Sequence, residues 1–191
     1  MSRPIDVRSL YLDKWGEPDR EAEFETDRCL IRALKWQSSS RTGGVTLYAT
    51  VGVSDYPLPG VPDSHRQEYF VGFEPEYDDV ASPLAWLGIY AQSAPQPLAA
   101  GHTYRAPEPL IEGAGFEGFI LLAPQDEFLA PIDLPDGRHV EFLMLVPAFE
   151  DELDFAKSHS VDELMEAIET ADVPFWDPNR RSTFDRRAGA R

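Results

Sequence analysis

One cysteine, Cys29, is all this sequence holds, so no internal disulfide can form. That suits a reducing compartment, and the expected setting is the cytoplasm. Cys29 opens the apolar run CLIRALKW, where a thiol reads as a buried structural residue. Long apolar runs are missing as well. None approaches the length of a membrane span. The first residues, MSRPIDVRSLYLDKWGEP, put charges where a signal peptide would need its apolar stretch, which argues against secretion by that route. Basic charge is scarce: 17 Lys and Arg stand against 34 Asp and Glu, for a net charge of -17. Such a field repels phosphate backbones and anionic lipid, and attracts basic partners over about a Debye length of ~10 Å. The basic cluster in the tail, NRRSTFDRRAGAR, is interrupted by aspartate and does not make a nucleic-acid footprint.

The motifs of common chemistry are also absent. There is no Walker loop and no Gly-x-Gly-x-x-Gly. His65, His102, His139 and His159 are far apart, none has metal-ligand spacing, and one cysteine cannot supply half a zinc site. The sequence therefore predicts no catalytic residue, no cofactor and no metal. Acidic stretches such as EPEYDD at 74–79 and EDELD at 150–154 read as solvated faces, as a chain this acidic supplies by chance.

What is present is ample apolar material: 42% hydrophobic and 12% aromatic residues, enough for one well-buried core in 191 residues. Pro4, Ile5, Val7, Leu10, Tyr11 and Trp15 suggest a short amphipathic helix with proline in its first turn, stopped by Gly16 and Pro18. EAEFE, CLIRALKWQ, VTLYATVGV and QEYFVGFEP read as strands of an antiparallel meander. SPLAWLGIYAQSA reads as a helix capped by Ser82, with Leu84, Leu87 and Tyr90 or Ala91 against the sheet and Trp86 in the core along with Trp36. After a loop, AAGHTYRAPEP, come the strands GFILLAP and HVEFLMLVP, separated by a Pro-Asp-Gly turn. Two acidic helices follow, the second begun by Ser160 and Glu163 in capping-box spacing. The pattern predicts an α+β fold, a mostly antiparallel mixed sheet with helices packed on one side.

The stretch VTLYATVGVSDYPLPG, at 45–60, places Ser54 and Asp55 on a turn after a strand. A nucleophile elbow would need a second glycine and a following helix, and both are missing. Ser54 is expected to bond local backbone instead. Asp55 and Tyr56 have two readings. In one, Asp55 bonds its own backbone and Tyr56 plugs a pocket. In the other they offer a carboxylate and an amphipathic ring beside strand backbone able to accept an added strand.

Four segments, in order, resemble the suppressor of fused (SUFU) domain family. VTLYATVGVSDYPLPG resembles its strand and Gly-x-Ser-Asp turn; SPLAWLGIYA with LAAGHTY, its helix and Gly-His-Thr loop; HVEFLMLVPAFEDELDF, its late strand and acidic helix; and DVPFWDPNRRSTF, its closing segment. The resemblance implies a SUFU-like binding domain over 21–184, an N-terminal helix and lead-in over 1–20 and a flexible tail over 185–191. It also implies a protein partner. The animal relative takes up an extended peptide between two domains, and 191 residues offer no space for the second. Compact bacterial relatives resemble immunity proteins of polymorphic toxin systems, and 14 arginines against 3 lysines suit a GC-rich bacterial genome. The expected partner is thus a basic toxin domain or an extended peptide. Asp55, Tyr56, Tyr77, Asp78, Asp79 and Trp176 are the candidate contacts, Trp176 being either a docking anchor for the tail or an exposed contact. The competing classes are a peptide-binding regulator or scaffold and a hydrolase using His102 with a carboxylate, which would need a concave polar pocket.

Overall fold

The computed structural model describes residues 6–110 and 113–185. The first helix, α1, spans Val7–Trp15, and Asp6 caps it by accepting the Ser9 amide at 2.6 Å. Pro4 and Ile5, expected in its first turn, lie outside the described residues. Val7, Tyr11 and Trp15 recur every four residues and form one buried stripe. The expected antiparallel meander follows as β1 (Arg20–Glu25), β2 (Leu30–Trp36), β3 (Thr46–Val51) and β4 (His65–Phe73).

A helical turn at Asp78–Val80 then runs into α2 (Ala81–Ala91). This start precedes the expected cap, Ser82. Pro83 is accepted because first-turn positions need no intrahelical donor. The stretch read as a loop contains a short strand, β5 (Thr103–Arg105). β6 (Gly118–Leu122), α3 (Asp126–Leu129), β7 (Ile132–Asp133) and β8 (His139–Ala148) follow, and the chain closes with α4 (Glu150–Ser158) and α5 (Val161–Thr170). The strand order is β1-β2-β3-β4-β8-β6-β5, with β7 paired to β8 across the Pro135-Asp136-Gly137 turn. β4 and β8 run parallel; the other pairings are antiparallel. The fold class is the expected mixed, mostly antiparallel α+β arrangement.

Strand alternation splits the core between two faces. On one, Ile31, Tyr48, Tyr69, Leu121 and Leu143 pack with Leu84, Leu87 and Ala91 of α2. On the other, α1 covers Leu34, Leu47, Phe70 and Phe142, while α4 and α5 cover Ile120, Val146 and Ala148. Helices therefore lie on both faces, not on the one side expected. The reason is legible in the runs YFVGF of β4 and FLMLV of β8, which are apolar in both registers.

The segment after α5 returns along the end of β4, where the Trp176 carbonyl accepts the Glu74 amide at 3.0 Å. Arg180 then donates to the Pro147 carbonyl at 2.8 Å and meets Glu152 through two bonds of 2.7 Å. The last residue of β8 paired with β4 is Met144. Beyond it Pro147 has no amide to offer, and Arg180 supplies the donor that the neighbouring strand no longer provides.

Candidate protein-binding surface

The turn at 52–56 is built around a buried carboxylate. Gly52 sits at φ 110°, and a side chain there would come within 2.7 Å of the Leu30 carbonyl, so only glycine fits. Glu68, on β4 and fully buried, accepts the Gly52 and Ser54 amides at 3.0 Å each, the Ser54 hydroxyl at 2.7 Å and the Thr50 hydroxyl at 2.6 Å. Burial raises its pKa to about 7 against the pull of these four donors. Ser54 thus bonds a distant side chain, not the local backbone expected of it. Asp55 is held by Arg138 at 3.2 Å, and Arg138 also donates to the Ser54 carbonyl at 2.8 Å. Tyr56 is half-buried, its hydroxyl accepting the Leu30 amide at 3.1 Å. Nor is this stretch an edge able to take a strand, because β3 lies between β2 and β4.

The other candidates sit at the opposite end of β2. Asp78 accepts from Tyr48 at 2.8 Å and pairs with Lys35 and Arg20, and the Lys35 hydrogen bond holds its carboxyl below the ordinary range. Tyr77 gives its amide to the Tyr48 hydroxyl at 3.0 Å and packs its ring beside Phe73. Trp176 stands at this same end, on the other face, and is 41% exposed. The six residues therefore do not form one patch. Tyr77 and Asp78 anchor a loop, Asp55 and Tyr56 close a distant turn, and Asp79 and Trp176 face separate depressions.

The depression at Asp79 exposes aromatics that the sequence placed inside. Trp86, expected in the core, is 55% exposed, and Tyr90 is exposed beside Tyr104, their rings 5.0 Å apart. Leu84, Leu87, Gly88 and Ala91 occupy the buried face of α2, so Trp86 and Tyr90, four apart, share the outer one. That spacing was the available signal. With Asp79, Pro107 and Glu108 they enclose about 790 Å³. Tyr104 belongs to β5, the last strand of the sheet. The amide of Ala106 and the carbonyl of His102 point toward β6, so the backbone groups of Thr103 and Arg105 point away from the sheet.

Similarity to known proteins decides the family. The family model described as suppressor of fused protein (SUFU) matches residues 30–181. The chain belongs to the SUFU family. No curated protein matches it. Among solved structures, a putative SUFU homolog from Neisseria gonorrhoeae is 22% identical, with a TM-score of 0.68 over 93% of this chain and 94% of that one. A chain of the Sufu-Fu complex is 16% identical, with a TM-score of 0.67 over 93% and 89%. Drosophila Suppressor of Fused is 17% identical, with a TM-score of 0.62 over 81% of this chain, which spans 43% of that protein. These likenesses show a shared SUFU fold.

Two further sites in this SUFU-family chain bear on its chemistry. His102 is exposed, and the depression beside it, about 440 Å³, is lined by Tyr90, Thr103 and Lys157 with no carboxylate among the described residues. Glu152, expected on a solvated face, is fully buried. Burial alone would raise its pKa, but the Arg180 guanidinium outweighs that and holds it below the ordinary value. Among the described residues no group of His, Cys, Asp and Glu could hold a metal ion, and no helix is long and apolar enough to cross a membrane.

Proposed function

We propose that this SUFU-family chain is a protein-binding module acting in the cytoplasm on a basic partner, and that it serves as an immunity protein that neutralises a toxin by covering it. The observation that carries the reading is the shelf of exposed Trp86 and Tyr90 with half-buried Tyr104, beside Asp79 and Glu108 on a chain of net charge -17. Exposed aromatics with an acidic rim suit a protein contact in which rings fill pockets and carboxylates meet basic side chains. The long-range field speeds encounter with a basic surface. The Sufu-Fu complex, which contains a chain of this fold, supports protein binding. The extended-peptide alternative draws support from β5, whose outward Thr103 and Arg105 backbone groups can accept a short strand beside the same aromatics.

The test joins capture to function. The partner retained stoichiometrically from host lysate is expressed alone and with this chain. Growth arrest by the partner, relieved by the wild-type chain and not by Trp86→Ala, is the expected result, with affinity reduced about tenfold or more by the substitution. A partner harmless on its own would end the immunity role. Unchanged affinity for Trp86→Ala would remove the shelf from the contact. Displacement of the partner by a short extended peptide would favour the regulator reading.

A further inference from the structure

The sheet face opposite α2 is not fully roofed. Between α1 with α3 on one side and the closing segment on the other lies a groove of about 620 Å³, its floor made by Leu47, Phe70 and Met144 and its walls by Phe128 and Phe175. Trp176 stands at its mouth, its ring 4.9 Å from that of Phe175, and Glu74 lies on the rim. The size falls within the ~300–1,000 Å³ range of sites that hold a ligand or an anchoring side chain.

The charge of the surrounding segments is one-sided. Residues 42–47, 70–76, 123–128, 144–147 and 172–177 carry Glu74, Glu76, Asp126, Glu127, Asp172 and Asp177 and no Lys, Arg or His. Lys35 neutralises Glu76 at 3.0 Å, and Lys14 reaches the Glu127 carbonyl from α1 at 3.0 Å. Glu74, Asp126 and Asp172 are exposed. An apolar slot with an exposed indole and Glu74 as the charged residue of its lining, on a chain of net charge -17, matches one kind of occupant: a short segment whose large apolar side chains are flanked by Lys or Arg.

We infer that this groove is a second docking site, taking an apolar anchor with basic flanks from a protein partner. The inference rests on the reading of the chain as a protein-binding module, but on other residues and the opposite face of the sheet from Trp86. The apolar anchor fills the slot over Phe70 and Met144, the Trp176 ring closes over it, and a flanking cation meets Glu74.

A fluorescein-labelled peptide of sequence Arg-Lys-Phe-Leu-Lys-Arg is the probe, read by fluorescence anisotropy on the full chain. Two controls replace Phe-Leu by Gly-Ser, or the four basic residues by glutamate. Saturable binding is expected, weakened about tenfold or more in each control and in Trp176→Ala and Glu74→Lys. Both variants alter exposed side chains, and near-ultraviolet circular dichroism checks that they fold. Trp86→Ala should bind the probe as the wild type does, so loss of partner binding at α2 and loss of probe binding here are separate failures. Equal binding of the Gly-Ser control would reduce the effect to net charge and overturn the proposal. Absence of saturable binding would overturn it too, as would a wild-type dimer that Trp176→Ala turns into a monomer, which would make a second copy the occupant.

Discussion

Glu68 receives both the amide and the hydroxyl of Ser54, at 3.0 and 2.7 Å, so a buried carboxylate on β4 fixes the turn that follows β3. No cationic side chain bonds it among the described residues. Thr50 can relay a proton here: its hydroxyl lies 2.6 Å from Glu68 and 3.3 Å from the Tyr69 carbonyl. A protonated Glu68 can donate to Thr50, which then donates to Tyr69.

Stability should therefore carry a Glu68 contribution that fades as pH rises. Burial raises the folded-state pKa from 4.5 to about 7, so between these values the folded chain holds a proton that the unfolded chain has released. Below that window the contribution is fully present; above it, about 3 kcal/mol is lost. Asp78, held low by its Lys35 hydrogen bond, acts the other way and only in more acid solution. Glu68→Gln keeps an acceptor for the turn and a donor for Thr50 without titrating. Urea unfolding of both proteins from pH 4.5 to 8 should show a slope in the wild type that the variant lacks. Parallel slopes would mean that Glu68 is ionised throughout.

Breaking the Glu152–Arg180 pair should be costly. Both side chains are buried, the guanidinium lies over the Phe149 ring at 4.9 Å, and Thr183 adds its amide and hydroxyl to the same carboxylate. Arg180→Met is expected to lose about 3–5 kcal/mol, because it strands a buried carboxylate. Adding Glu152→Leu should restore part of that loss, since no charge is then left unpaired. A double variant as unstable as the sum of the singles would show that the two residues act independently.

Gly88 should be intolerant of even a methyl group. A side chain there would stand 2.5 Å from Val53 Cγ2 and 3.1 Å from Ile31 Cδ1, so it is the missing side chain that lets α2 lie on the turn after β3. Gly88→Ala is expected to cost about 1–3 kcal/mol despite its better helix propensity. Combining it with Val53→Ala should recover part of the loss in thermal unfolding. A stabilised Gly88→Ala would mean that the helix shifts freely.

Complex formation with a basic partner should depend on salt through its association rate. Raising ionic strength from about 50 to 300 mM should slow association about tenfold while dissociation changes far less. Stopped-flow mixing measures both. An association rate indifferent to salt would remove steering by the net charge of -17.

The meander and the long helices were readable because their runs are long and rich in branched and aromatic residues. Thr103–Arg105 was not, since three residues carry no period. Trp86 misled for a general reason: tryptophan on an apolar helix ordinarily faces inward, and only its phase against Leu84 and Leu87 shows otherwise. The two buried acids were hidden among many exposed ones. In Glu68 the clue was a charged residue directly before the apolar run YFVGF, where a buried carboxylate must find donors. Asp55 and Tyr56 were singled out for their place on a turn, and the sequence could not show that β3 is an interior strand.

The parallel β4–β8 pairing also has a consequence during synthesis. The meander from Arg20 to Phe73 can assemble as soon as it leaves the ribosome, but the strand that covers β4 begins only at His139. Until then the nascent chain presents the open edge of EYFVGF, an apolar template of the kind that recruits other chains. A product halted between residues 74 and 138 would keep that edge unpaired by its own late strand.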